Sequence, residues 1–251
     1  MSVMLYALHG FLGVPADFSQ IKLPTDWQMN AIDYLHVREL SPENSLKDWG
    51  NNFCKYVLAK EKTVAGNVPD QPKRWLIGYS QGGRLALHAF FENPFLWQGL
   101  ILLSAHPGIR AADKLTEDTE RLHRQQFHQQ WVRRFEKQDF DKTVEQWNAQ
   151  PVFAGSKNEP KRLEKNYNRH QLAKCLSHWS LSLQKDFHPQ IKACQNKIFY
   201  IAGEFDEKYK QIGRDLERLN PNVIATVAPE SGHRVLFDNP DFISELLKTR
   251  C

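Results

Sequence analysis

Three side chains far apart in the chain, Ser80, Asp206 and His233, have the types and the order of a proton relay. A serine hydroxyl is a weak nucleophile and a weak base until a histidine takes its proton, and that histidine needs an acid to hold its tautomer. Ser80 lies in "GYSQG" (78–82), a Gly-x-Ser-x-Gly pattern in which an apolar run stops and a helical pattern starts at once. Such a turn exposes the serine, and it requires glycines because side chains there would collide with the flanking strand and helix backbones. Asp206, in "YIAGEFDEKY", follows a strand-like run, and His233, in "APESGHRVLFDNP", follows the last one. Asp186 and Asp238 are alternative acids, but neither follows a strand end.

Charge that develops on a substrate oxygen needs donors already in place. The backbone N–H of Gln81 at the helix start and that of Phe11 in "HGFLG" (9–13) can supply them, with His9 and Gly10 shaping the loop. Arg84 follows Ser80 by one helical turn on the same helix face, so it can look toward the same pocket. At 100° per residue, Arg121, Arg124, His128, Trp131 and Phe135 share one stripe of a helix. That stripe is either a positive wall facing the serine or a domain edge along which the arginines snorkel. Arginine suits the first role because its planar fork binds carboxylates bidentately and stays charged.

The elements that must hold these groups can be read from hydrophobic pattern. Strand-like runs fall at 3–8, 30–35, 74–79, 99–104, 197–203 and 222–228, with helical patterns between most of them, such as 45–60 and 81–94. Alternating strands and helices, with the strands apolar on both faces, predict an α/β fold whose mostly parallel sheet is flanked by helices. Residues 109–186 carry only polar, aromatic-studded helical sequence. They predict a helical cap insertion over the carboxyl edge of a core formed by residues 1–108 and 187–251.

Composition narrows the function classes. With 41% hydrophobic residues in 251, the chain can bury a sizeable core. Lys and Arg total 33 against 29 Asp and Glu, too slight an excess for a nucleic-acid binder but compatible with a small anionic substrate. Cys54, Cys175, Cys194 and Cys251 show no CxxC pairing, which favours a reducing compartment. "MSVMLYALHGF" reads as a strand and not as a signal peptide, and no apolar run reaches membrane-spanning length. A cytoplasmic protein without a membrane partner is expected; nothing in the sequence marks an oligomeric state. Without HExxH, paired metal-ligand spacing or a phosphate loop, neither a metal nor a nucleotide cofactor is expected.

Taken together, "HGFLG", "GYSQGGR", "HPG" (106–108), "ERLHR" (120–124), "QWNAQPVFAG" (146–155), "AGEFDEKY" and "SGHRVLFDNP" resemble the α/β-hydrolase fold. More closely, they resemble the 2-succinyl-6-hydroxy-2,4-cyclohexadiene-1-carboxylate synthases of menaquinone biosynthesis. The resemblance spans most of the chain, and its most specific part is the stretch from Trp147 to Phe153. It implies a carbon–oxygen lyase that eliminates pyruvate from a polycarboxylate, with the triad serine acting as a base on a ring proton. It also implies that Arg84, Arg124 and Arg169 hold carboxylates and that Tyr79 and Trp147 line the pocket. Two features depart from the family: "IDYLHVRELSPENS" replaces a Pro-Gly-His-Gly type loop, and the chain starts directly at the strand leading to "HGFLG". The residues themselves leave open a serine carboxylesterase or thioesterase that works through an acyl-enzyme.

Overall fold

Along β1 (Val3–Leu8), Leu5 and Ala7 point to one face of the sheet and Tyr6 and Leu8 to the other, and all four are buried. The same alternation, which follows from the two-residue repeat of a strand, runs along β3 (Lys73–Tyr79) and β5 (Lys197–Gly203). Burial on both faces is why these segments are continuously apolar. The chain is a computed structural model that describes residues 2–65 and 72–251, with 62–65 described by backbone alone.

Among the described residues, β1, β3, β5, β2 (Trp27–Ile32), β4 (Gly99–Leu103) and β6 (Val223–Ala228) form one fully parallel sheet ordered β2-β1-β3-β4-β5-β6. Five strands lie within one residue of their sequence expectation. The expected strand at 30–35 is displaced to Trp27–Ile32. Tyr34 and Leu35 are buried, but in the loop beyond the strand, where Tyr34 stacks on His9 at 4.1 Å and donates its hydroxyl to the His9 carbonyl at 2.9 Å. Their apolar character serves loop packing and not strand pairing.

Helices α1 (Leu46–Ala65) and α2 (Gln81–Glu92) cover one face, where Trp49 and Phe53 stack with centroids 5.0 Å apart. Fully buried aromatics of this kind each stabilise the fold by about 1.5–3 kcal/mol relative to exposure. Between β4 and β5, residues 104–186 form helices and turns without a strand among the described residues: α3 (Lys114–Lys137), α4 (Phe140–Asn148) and α5 (Arg169–His178). Their starts are set locally, since Asp113, Asp139 and Asn168 each accept N–H bonds from the first turn. Helices α6 (His188–Ala193) and α7 (Glu207–Leu219) add Ile191 and Leu216 to the α1 face. On the opposite face lie α8 (Val235–Asp238) and α9 (Pro240–Arg250), packed with Phe18 and Ile21. Among the described residues, no helix is long and apolar enough to cross a membrane.

Strand order reverses direction between β1 and β3. In an open parallel sheet, the crevice beyond the carboxyl ends at such a switch point is where ligands bind. The loop 9–13 leaves β1 there and Ser80 leaves β3 there.

Candidate active site

Ser80 sits between the last residue of β3 and the first of α2 with φ 50° and ψ −111°, a left-sided conformation that non-glycine residues rarely adopt. The turn is this tight because β3 runs into α2 without a loop. A Cβ on Gly78 would fall 2.5 Å from the Gly82 carbonyl oxygen, and one on Gly82 would fall 2.1 Å from that of Leu8. Only hydrogen fits at either position. The Ser80 N–H donates to the Leu103 carbonyl at 2.8 Å, which ties the turn to β4.

The structure brings the three relay residues together across the strand ends. Ser80 Oγ lies 3.1 Å from His233 Nε2, and His233 Nδ1 lies 2.7 Å from Asp206 Oδ2. Asp206 follows β5 at the start of α7, and His233 follows β6 ahead of α8. The Asp206 carboxylate can accept only from an Nδ1–H, so it leaves Nε2 free to accept the serine proton. Tyr209, Phe153 and Tyr79 surround the imidazole with centroids at 4.6, 5.7 and 5.9 Å, fixing the ring and keeping water from it. The alternative acids are engaged elsewhere. Asp186 bonds His188, and Asp238 accepts from the Gly232, Lys157 and Asn158 N–H groups.

Phe11, Ser80 and Gln81 line one cavity of 320 Å³. As the first residue of α2, Gln81 has no acceptor for its N–H within the helix. No acceptor is bonded to the Phe11 N–H among the described residues. His9 is buried beneath this loop, where desolvation lowers its pKa to about 4. It is therefore neutral near pH 7, and its Nδ1–H donates to the Gly10 carbonyl at 2.9 Å. His9 shapes the loop and does not face the cavity.

The same cavity collects Arg84, Arg124 and Lys208. Arg84 is buried, its guanidinium donating to Gln184 Oε1 at 3.2 Å and to the Trp179 carbonyl. Burial pulls its pKa down to about 10, which leaves it charged near neutral pH. His106 and His128 also line the cavity. Burial, with the nearby cations Lys208, Arg84 and Arg124 for His106 and Arg84 and Arg124 for His128, pushes both to about 3. Lys208 is lowered by burial and by Arg124. These histidines are thus neutral, and the cations that line the cavity repel one another.

Not every expected residue reaches this place. Arg169 turns away, with its Nε donating to the Phe135 carbonyl at 2.7 Å, Nη2 to that of Gln138 and Nη1 to Glu164 at 3.2 Å. It satisfies carbonyls at the end of α3, and it is absent from the cavity wall. Arg121 likewise pins α3 to the Ser182 and Gln184 carbonyls at 2.7 and 3.1 Å. From the expected stripe only Arg124 and His128 line the cavity, while Trp131 and Phe135 are buried. Tyr79 and Trp147 line a second, smaller cavity that also borders Ser80, and Trp147 lines both. Sequence reasoning missed Lys208, whose only signal is its place two residues after the acid at the start of α7, and also His106. Among the described residues, no cluster of three or more His, Cys, Asp and Glu side chains could hold a metal.

The profile of the alpha/beta hydrolase fold matches residues 7–240. The chain belongs to the α/β-hydrolase-fold family. Within that family, the 2-succinyl-6-hydroxy-2,4-cyclohexadiene-1-carboxylate synthase of Escherichia coli O7:K1 (strain IAI39 / ExPEC) is 32% identical over 181 residues, 70% of this chain and 66% of that protein. The like-named protein of Escherichia coli (strain K12) is 31% identical over 187 residues, 73% of this chain and 69% of that one. The match thus spans just under two thirds of the O7:K1 protein's length. Among solved α/β-hydrolase-fold structures, MenH from S. aureus superposes with a TM-score of 0.81 at 22% identity, over 98% of this chain and 92% of that chain. At that identity the likeness is one of fold.

Proposed function

We propose that the protein is a carbon–oxygen lyase of the 2-succinyl-6-hydroxy-2,4-cyclohexadiene-1-carboxylate synthase type, which eliminates pyruvate from a polycarboxylate ring intermediate. The observation that carries this reading is the meeting of Arg84, Arg124 and Lys208 in the cavity that contains Ser80. An esterase for neutral esters has no use for three cations there. The names of the relatives at 31–32% identity support the same reading.

In this reading His233 Nε2 takes the Ser80 proton while Asp206 holds the imidazole and stabilises its charged form. The serine oxygen removes a ring proton, and the electron pair left behind moves into the ring. The bond between a ring carbon and the oxygen of the three-carbon group breaks, and that group leaves with its oxygen as the enolate, which becomes pyruvate on taking a proton at carbon. The N–H groups of Phe11 and Gln81 stabilise negative charge on a substrate oxygen, and Arg84, Arg124 and Lys208 hold carboxylates. Phe11, Phe127, Trp147 and Phe153 provide apolar walls against which a ring can lie. Residues 109–186 act as the cap that supplies Arg124 and most of these walls.

Supplying the pathway intermediate and following pyruvate tests the proposal. Release by the wild type and none above background by Ser80→Ala is expected; no release by the wild type overturns it. A serine esterase is the second reading, because the Ser80–His233–Asp206 relay and the paired N–H groups also suit acyl transfer. Fluorophosphonate labelling together with rapid turnover of simple aryl esters would favour it.

A further inference from the structure

Besides the cavity that holds Arg84, Arg124 and Lys208, another cavity borders Ser80. The second, of 50 Å³, lies against Tyr79, Asn148, Arg162 and Arg234, and shares Phe11, Ser80, Trp147 and Phe153 with the first. Cations therefore line both of the cavities that Ser80 borders. Those of the second cavity are not equivalent. Arg162 is matched by a bidentate pair with Asp17 at 2.8 and 2.9 Å, both side chains being under 10% exposed. Its charge is already met.

Arg234 is as deeply buried, but its surroundings differ. Its guanidinium lies 4.1 Å from the centre of the Phe153 ring and donates to Asn148 Oδ1 at 2.7 Å, a neutral acceptor. The carboxylate paired with it, Glu159, is 3.8 Å away, beyond hydrogen-bond reach, and its side chain is 57% exposed. A guanidinium has five N–H donors, and among the described residues the Arg234 side chain makes one hydrogen bond. Its remaining N–H donors are open to a further acceptor, and a largely buried guanidinium gains from an anion that bonds it directly. At 50 Å³ against 320 Å³, this cavity is much the smaller of the two and better suited to a small anionic head than to the body of a substrate.

We propose that Arg234 is a second carboxylate-binding position, reached past Ser80 by a substrate whose ring and other carboxylate occupy the larger cavity with Arg84 and Arg124. The site then selects for two anionic groups, one in each of the two cavities that border the serine, and binds a ring with one carboxylate poorly. This rests on the reading of Ser80's cavity as a polycarboxylate site, but it is separable from the lyase chemistry.

Calorimetric titration of the full chain with homophthalate, a ring with two carboxylates of which one is on a methylene arm, and with benzoate tests it. The wild type should bind homophthalate at least 10-fold more tightly than benzoate. Arg234→Gln should remove that preference while leaving benzoate affinity unchanged, and Arg124→Gln should weaken both. Asn148→Asp supplies Arg234 with an internal carboxylate and should lose the preference as well, with the arginine in place. Equal wild-type affinity for the two probes, binding of neither, or an equal loss of both in Arg234→Gln overturns the proposal. If the preference depends on Arg234 but no pyruvate is released from the pathway intermediate, the second subsite stands and the lyase reading falls.

Discussion

The Asp206 carboxylate lies 2.7 Å from His233 Nδ1, with both side chains almost wholly buried. Asp206→Asn is expected to keep this packing but to offer an N–H where a carboxylate accepted one, which turns the imidazole to the wrong tautomer. Turnover should fall by about 10³–10⁴-fold with KM nearly unchanged. If the proposed lyase activity holds, steady-state pyruvate release checks this, and a loss of only a few-fold would remove Asp206 from the relay.

Arg124 and Arg169 separate binding from structure. Arg124→Gln removes a cation from the cavity wall and is expected to raise KM by about 10–100-fold, the cost of one charge-assisted bond, with kcat changed little. Arg169→Gln should leave KM alone and lower stability by about 1 kcal/mol, because its bonds to the Phe135 and Gln138 carbonyls are lost. Kinetics and urea unfolding on the same two variants would expose any exchange of these roles.

The left-sided backbone of Ser80 stores strain that glycine would relieve. Both Ser80→Ala and Ser80→Gly should be inactive, but the glycine variant should be more stable than the alanine variant. The difference expected is about 1 kcal/mol, after the greater freedom of unfolded glycine has offset part of the gain. Equal unfolding midpoints would show that the turn is relaxed.

His88 and His9 make the fold acid-sensitive. Both are buried with an unpartnered Nε2, and burial lowers their pKa to about 3 and about 4 from an ordinary value near 6.5. Because the unfolded chain binds these protons first, stability is unaffected above pH 6.5 and falls as the pH drops from there toward the folded values. The slope is about 1.4 kcal/mol per pH unit for each group. Melting temperature against pH should therefore be flatter between pH 6.5 and 4.5 for His88→Leu than for the wild type; parallel curves would remove His88 from the account.

Much of this molecule is legible residue by residue. Five strands fell where two-residue alternation and continuous apolarity put them, and "GYSQG" marked the serine turn by its pattern, although only Gly78 answers to neighbours within the turn while Gly82 answers to the Leu8 and His9 carbonyls at the end of β1. Asp206 and His233 could be chosen because each follows a strand end, and parallel strand ends lie side by side. The misplaced β2 shows the limit. Tyr34 and Leu35 are as apolar as strand residues, but their burial comes from His9 and the loops around it, partners that periodicity does not contain.

The cations divide along the same line. One helical turn after the serine was enough to place Arg84 beside it, since the helix itself fixes that geometry. The arginines of residues 109–186 could not be sorted in this way. Arg121 went to the Ser182 and Gln184 carbonyls, Arg169 to the end of α3, and Arg124 to the cavity. The sequence determined most of the strands and marked the serine turn because steric and hydrophobic rules act over a few residues, and it offered Asp206 and His233 as candidates only through their places after strand ends. Tertiary structure alone decided which charges face Ser80, because a guanidinium turns toward whichever carbonyl, carboxylate or open cavity distant segments bring within reach.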